Sequence, residues 1–236
     1  IFRIRDLRIQ NMILKPQDFL VALKLLALDE QHWTYARLAH ELGLSASEAH
    51  AAVQRGLAAG LLTDSSIARA YAALRPAAAI VAREPGLSAV GLQTVPRPRK
   101  APEERTHLDS AAVVNRRHLA EFALHGAKYA FAAERLPVGR GVPTSHAAPA
   151  FAGVFAEGHE PLVWPCAHGT ARGEGIAPLH PCVPGAALRD AALYELLALF
   201  DAVRAGRARE RGMAITRLQK LIDPPQRPKA AKARRD

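Results

Sequence analysis

Residues 35–62 read YARLAHELGLSASEAHAAVQRGLAAGLL, and the fold turns on this stretch. Leu38 and Leu42, then Leu44, Ala49 and Ala52, recur at the three-and-four spacing of two short helices, not the alternation of strands. Ala39 is small enough to sit where two steeply crossing helices touch, and Gly43, four positions later, tolerates the positive φ of a tight turn between them. Helices are therefore expected at about 35–42 and from about Ser45 to Ala59. Thr34 is expected to cap the first, and Ser45 or Ser47 the second. Gly60 closes the second helix, and Leu61-Leu62-Thr63 reads as a short strand.

Upstream, 16–28 (PQDFLVALKLLAL) reads as a helix with Pro16 in its first turn and Asp18 at the positive end of its dipole. Phe19, Leu20, Leu23, Leu26 and Ala27 form its apolar stripe. The opening IFRIRDLRIQ interleaves charge with apolar residues and lacks the apolar run of a secretory leader; Met12 precedes the first well-patterned helix, and 1–11 are expected to be upstream or disordered sequence. Downstream, 64–111 are rich in Ala, Pro and Arg, with Arg97, Arg99, Lys100 and Arg105 among prolines, a loop composition. Ala112-Val113-Val114 reads as the next strand, which makes 64–111 an insertion in a strand hairpin or else a linker. Residues 115–133 read as a helix with Leu119, Phe122, Ala123, Gly126 and Ala130 on one face. Residues 134–188 read as irregular, Gly- and Pro-rich chain with short strands such as Leu162-Val163-Trp164. Helices are expected at 190–204 and 207–222, followed by a basic tail over 223–236 carrying Arg227, Lys229, Lys232, Arg234 and Arg235.

The stretch from 16 to 63 resembles the bacterial winged helix-turn-helix transcriptional regulators, the broad MarR- and IclR-like group. The shared pattern is L-A-x-x-L-G-L-S-x-S followed by A-G-L-L, with Ala49 standing where the pattern has Val or Ile. The resemblance covers about a fifth of the chain. It implies that the third helix enters the major groove of double-stranded DNA. Ser45, Ser47, His50, Ala51, Gln54 and Arg55 would then face the duplex, with Gln54 suited to adenine and Arg55 to guanine or a phosphate. Thr34, Ser45 and Ser47 would donate to phosphates, and Arg37, Arg116 and Arg117 would supply further positive charge.

Composition is consistent with that implication. The 236 residues carry 32 Lys and Arg against 22 Asp and Glu, a formal net charge of +10, and a surplus of this size points to a polyanionic partner. Aromatics are only 6%, so the core must rely on Leu, Val and Ala, which favours helices. The two cysteines, Cys166 and Cys182, are too few for a disulfide framework, and a cytoplasmic setting is expected. No segment approaches the roughly 18 apolar residues of a membrane helix, so no membrane partner is expected.

Other chemistry is thinner. Cys166-x-His168 and His180-x-Cys182 would make a tetrahedral zinc set if two strands brought the pairs together, although paired zinc ligands are more usually C-x2-C. Ser145-His146 has no G-x-S-x-G context and no evident carboxylate in sequence. Gly139-Arg140-Gly141 lacks the spacing of a phosphate loop. His118 and His125, seven apart, share a helix face as surface or satisfied core groups. The expectation is a mainly α-helical protein: an N-terminal winged helix-turn-helix, an irregular Gly/Pro-rich segment and a helical C-terminal region (134–222) that supports it or dimerises through Leu193, Leu196, Leu197, Phe200 and Val203. It reads as a sequence-specific DNA-binding regulator, without cofactor or enzymatic activity and as a homodimer. The alternatives are a winged-helix module that binds protein and, more remotely, a metal-dependent enzyme.

Overall fold

The computed structural model describes residues 14–29, 31–67, 112–155 and 160–224. The expected upstream segment, most of the insertion and the basic tail lie outside the described residues.

Helix α1 (Pro16–Leu28) is apolar almost all round, and such a helix must be enclosed by others. Every residue from Asp18 to Leu26 is buried, so the stripe read from its sequence is too narrow. The Phe19 ring lies 4.9 Å from Phe200, 5.5 Å from Phe122 and 6.1 Å from Phe131, centroid to centroid, which ties α1 to chain more than a hundred residues away.

Helices α2 (Tyr35–Leu42) and α3 (Ala46–Ala58) follow the expected bounds closely. The Thr34 hydroxyl accepts from the Arg37 amide, and Ser45 and Glu48 form a reciprocal capping box. Gly43 holds φ +73°, the left-handed conformation that ends α2. Strand β1 (Leu62–Asp64) pairs antiparallel with β2 (Ala112–Val114), Leu62 opposite Val114. This pair joins the chain after α3 to the chain that resumes at Ala112.

The helix expected at 115–133 is present in three parts: α4 (Arg116–Glu121), a π-helical turn at Phe122–Gly126, and α5 (Ala127–Ala130). The Ala127 amide bonds the Phe122 carbonyl, an i→i+5 step that adds a residue to the turn and rotates everything beyond it. Leu124 and Ala127 therefore face the core, while Ala130 is exposed and Gly126 half-buried, against the expected register.

The segment 134–188, expected to be irregular with short strands, is more regular than that, although the strand expected at Leu162-Val163-Trp164 is present. Ten residues form β3 (Arg135–Thr144), which pairs antiparallel with β4 (Leu162–Pro165) through its C-terminal half and with β5 (Ala171–Ile176) through its N-terminal half. Strands β4 and β5 pair in parallel, so the three close into a small barrel. Glycines that read as loop punctuation are there for clearance: a Cβ on Gly141 would strike the Trp164 carbonyl, and one on Gly173 the Pro161 carbonyl. A short helix, α6 (Val183–Arg189), was also not anticipated.

Helices α7 (Ala191–Ala205) and α8 (Ala208–Ile222) complete the described fold, with Asp190 capping α7 at the Ala192 and Leu193 amides. The apolar stripe assigned to dimerisation is a further correction. Leu193, Leu196, Leu197, Phe200 and Val203 are all buried within the chain, because α7 packs against α1, α5, α6 and α8 and leaves that stripe no open surface. The helix-turn-helix and the C-terminal region share one core. Among the described residues no helix is long and apolar enough to cross a membrane.

Candidate nucleic-acid interface

Helix α3 turns Ala49, Ala52, Val53 and Gly56 toward the core and leaves Ser47, His50 and Gln54 exposed. The exposed three are spaced three and four apart, so they form one row on the outer face. The His50 ring sits 5.0 Å from the Tyr35 ring of α2, which braces it from the side. Ala51, expected on this face, is half-buried.

Arg55 departs from its expected place. Its Nε and Nη2 donate to Asp18 at 2.8 and 2.6 Å, a bidentate pair across the α1–α3 contact. Asp18 is fully buried, and its bonds to Arg55 raise the arginine's pKa above the ordinary value. Arg55 is a half-buried structural group and not a free reader of bases. Ser45 is also spoken for: its hydroxyl donates to the Glu48 carboxylate at 2.9 Å and accepts from the Glu48 amide at 3.1 Å. Bonds from the Ser45 amide and then its hydroxyl lower the Glu48 pKa, so the N-terminus of α3 already carries the negative charge that a phosphate would otherwise supply.

The remaining expected contacts are more available. Thr34 accepts from the Arg37 amide at 3.1 Å, which leaves its hydroxyl proton for another acceptor. Arg37 pairs with Glu41 at 2.6 Å, and Arg116 with Asp29 at 2.6 Å, both at the surface. Surface pairs of this kind are worth about 0–1 kcal/mol, but Arg37 also donates to the His32 carbonyl at 2.9 Å and Arg116 to the Ile222 carbonyl at 3.0 Å, so each is partly engaged within the chain. Arg117 is exposed and, among the described residues, forms no ion pair.

The four residues of the zinc reading do not converge. Cys166 and His168 lie in the turn after β4, and His180 and Cys182 in the turn before α6. Neither pair is on strands, and among the described residues no three His, Cys, Asp or Glu side chains are grouped for a metal ion. Instead His180 Nδ1 lies 3.0 Å from Cys182 Sγ, and burial pushes the Cys182 thiol up to about 11. Only about one Cys182 in a thousand is then thiolate at pH 8. In the native protein Cys182 should react with an aromatic disulfide reagent far more slowly than in denaturant. Its rate should climb about tenfold per pH unit up to the thiol's pKa; full labelling within the mixing time at neutral pH would contradict this.

Ser145 is fully buried with φ +52°, and His146 Nδ1 lies 3.9 Å from Glu210 Oε1, a carboxylate the sequence did not reveal. The buried hydroxyl has no approach for a substrate. An open groove of about 670 Å³ runs beside the β1 root, lined by apolar Leu14, Leu61 and Phe122 and by His118, Glu121 and His125. His118 Nδ1 meets the Gly60 carbonyl at 3.0 Å, so that histidine holds α4 to the end of α3. No family model, curated protein or solved structure matches the chain.

Proposed function

We propose that the protein is a DNA-binding transcriptional regulator of the cytoplasm that reads duplex DNA with the outer face of α3. The observation that carries the reading is the row Ser47, His50 and Gln54, presented by a helix seated on another across a left-handed Gly43 and followed at once by the β1–β2 pair. A helix of this kind docks in the major groove, where Gln54 fits the adenine edge and Ser47 and His50 the bases or phosphates beside it. Thr34, Arg37, Arg116 and Arg117 hold the backbone. Pairing of two half-sites calls for a homodimer, through surface other than the α7 stripe.

Selection of bound sequences from random duplex DNA tests the proposal. The native protein should enrich a defined motif. The double substitution His50→Ala and Gln54→Ala should abolish that enrichment, while the helical circular-dichroism signal and melting temperature stay within a few degrees, because neither side chain is buried. Persistence of the same motif in the variant removes α3 as the reader. A second reading, docking to another protein through the same face, is favoured by Glu48 at the α3 N-terminus and by the inward commitment of Arg55. It predicts no enriched motif for the native protein.

A further inference from the structure

Arg140 and Arg172 stand directly opposite each other in the antiparallel pairing of β3 and β5. Residues so paired have Cβ atoms about 5 Å apart on one face of the sheet, and like charges there repel. Both side chains are exposed, and among the described residues no carboxylate comes within ion-pair distance of either. The neighbouring cation is treated differently: Arg135, on the same strand, is paired with Glu174 at 2.8 Å. Arg140 is also aimed. Its Nε donates to the Gly169 carbonyl at 2.8 Å, and its own carbonyl accepts from the Cys166 amide, so the 166–169 turn grips the arginine at both ends. The terminal nitrogens of that guanidinium are left for an outside acceptor. His168 and Thr170, the exposed neighbours of Gly169 in sequence, lie on the same turn.

From this arrangement we infer that the Arg140–Arg172 pair is a second phosphate-binding site, which grips the sugar-phosphate backbone of a nucleic acid independently of α3. Two arginines rooted opposite each other on one face can bring forked donors to one phosphate or to two successive ones, and a bound phosphate offsets the repulsion between them. Nucleic acid is favoured over other anions because the chain as a whole is strongly basic and both arginine side chains are exposed on the paired strands. The Gly-Arg-Gly stretch thus contacts phosphate through a side chain, not through the loop amides of a nucleotide site.

The test is the salt dependence of binding by the full chain to a short random-sequence duplex, followed by fluorescence anisotropy. Each neutralised phosphate contributes about 0.9 to the slope of log affinity against log salt, so Arg140→Ala with Arg172→Ala should flatten that slope by about 1 for one phosphate or about 2 for two, and weaken low-salt binding about tenfold. The paired lysine variant should keep the slope, because a phosphate contact needs the charge before the fork. Either variant should melt within a few degrees of the native protein, since the bond from Arg140 to the Gly169 carbonyl is the one hydrogen bond of these side chains lost among the described residues. An unchanged slope in the alanine variant overturns the inference. So does an absence of duplex binding by the native protein, or a loss confined to vesicles of anionic phospholipid. Loss of motif preference in the α3 variant with the slope intact bears on α3 alone, so the two readings fail separately.

Discussion

Arg55→Ala is expected to destabilise the protein by about 3 kcal/mol, the cost of breaking a buried ion pair from one side. Asp18 has no contact with solvent, and its carboxylate is satisfied by three donors: the Lys15 amide at 2.8 Å and the two Arg55 nitrogens. Without Arg55 a single amide faces a buried anion. Lysine is not an adequate substitute, since it keeps the charge and loses the fork that meets both oxygens. Thermal unfolding should fall by about 9 °C for a chain of this size. Removing both partners, with Asp18→Asn and Arg55→Leu, should cost less than Arg55→Ala alone, because no uncompensated charge remains. A variant that melts like the native protein while losing its DNA motif would return Arg55 to the role of reader.

A larger loss is expected for Asp201→Ala, about 4 kcal/mol, because three buried donors lose their acceptor together. Asp201 Oδ2 accepts from Thr144 Oγ1 at 2.9 Å and Trp164 Nε1 at 2.6 Å, and Oδ1 from Arg204 Nε at 2.7 Å. The side chains of Asp201 and Arg204 are each 2% exposed, so water cannot replace the lost bonds without opening the core. Arg204 also donates to the Ala177 carbonyl at 2.7 Å and to the Phe131 carbonyl, so one carboxylate pins α7 to β3, to β4 and to the chain after β5. Urea titration should show the midpoint falling further than for Arg55→Ala, and Trp164 emission should shift red at denaturant levels where the native protein is still folded. A variant within 1 kcal/mol of the native protein would mean that packing alone holds the barrel on α7.

The α2–Gly43–α3 unit was legible because its signals are local. Thr34 and Ser45 satisfy amides two or three residues away, and Gly43 answers to its own backbone angle. The bounds of α1, α7 and α8 were legible for the same reason, whereas the pairing of β1 with β2 was one of two readings the sequence left open. The candidate site was legible in part. Ser47, His50 and Gln54 are exposed because apolar periodicity places them opposite the core, and that follows from one helix. The fate of Arg55 does not, since its partner lies 37 residues upstream in a position that reads equally well as a dipole cap.

By itself, then, the sequence determined where α1, α2, α3, α7 and α8 begin and end, which face of α3 is polar, and that short strands lie at β1 and near Ala112. Each of these rests on propensity, caps and periodicity over a few residues. The tertiary structure alone decided the rest. It closed the Gly-rich segment into a barrel, where glycine serves clearance between backbones and not turning. It covered the α7 stripe with helices of the same chain, rotated the face of α5 through one π turn, and set Arg140 opposite Arg172. Side chains tens of residues apart share no local pattern, so which apolar face is covered and which charge is neutralised depend on where the whole chain brings them together.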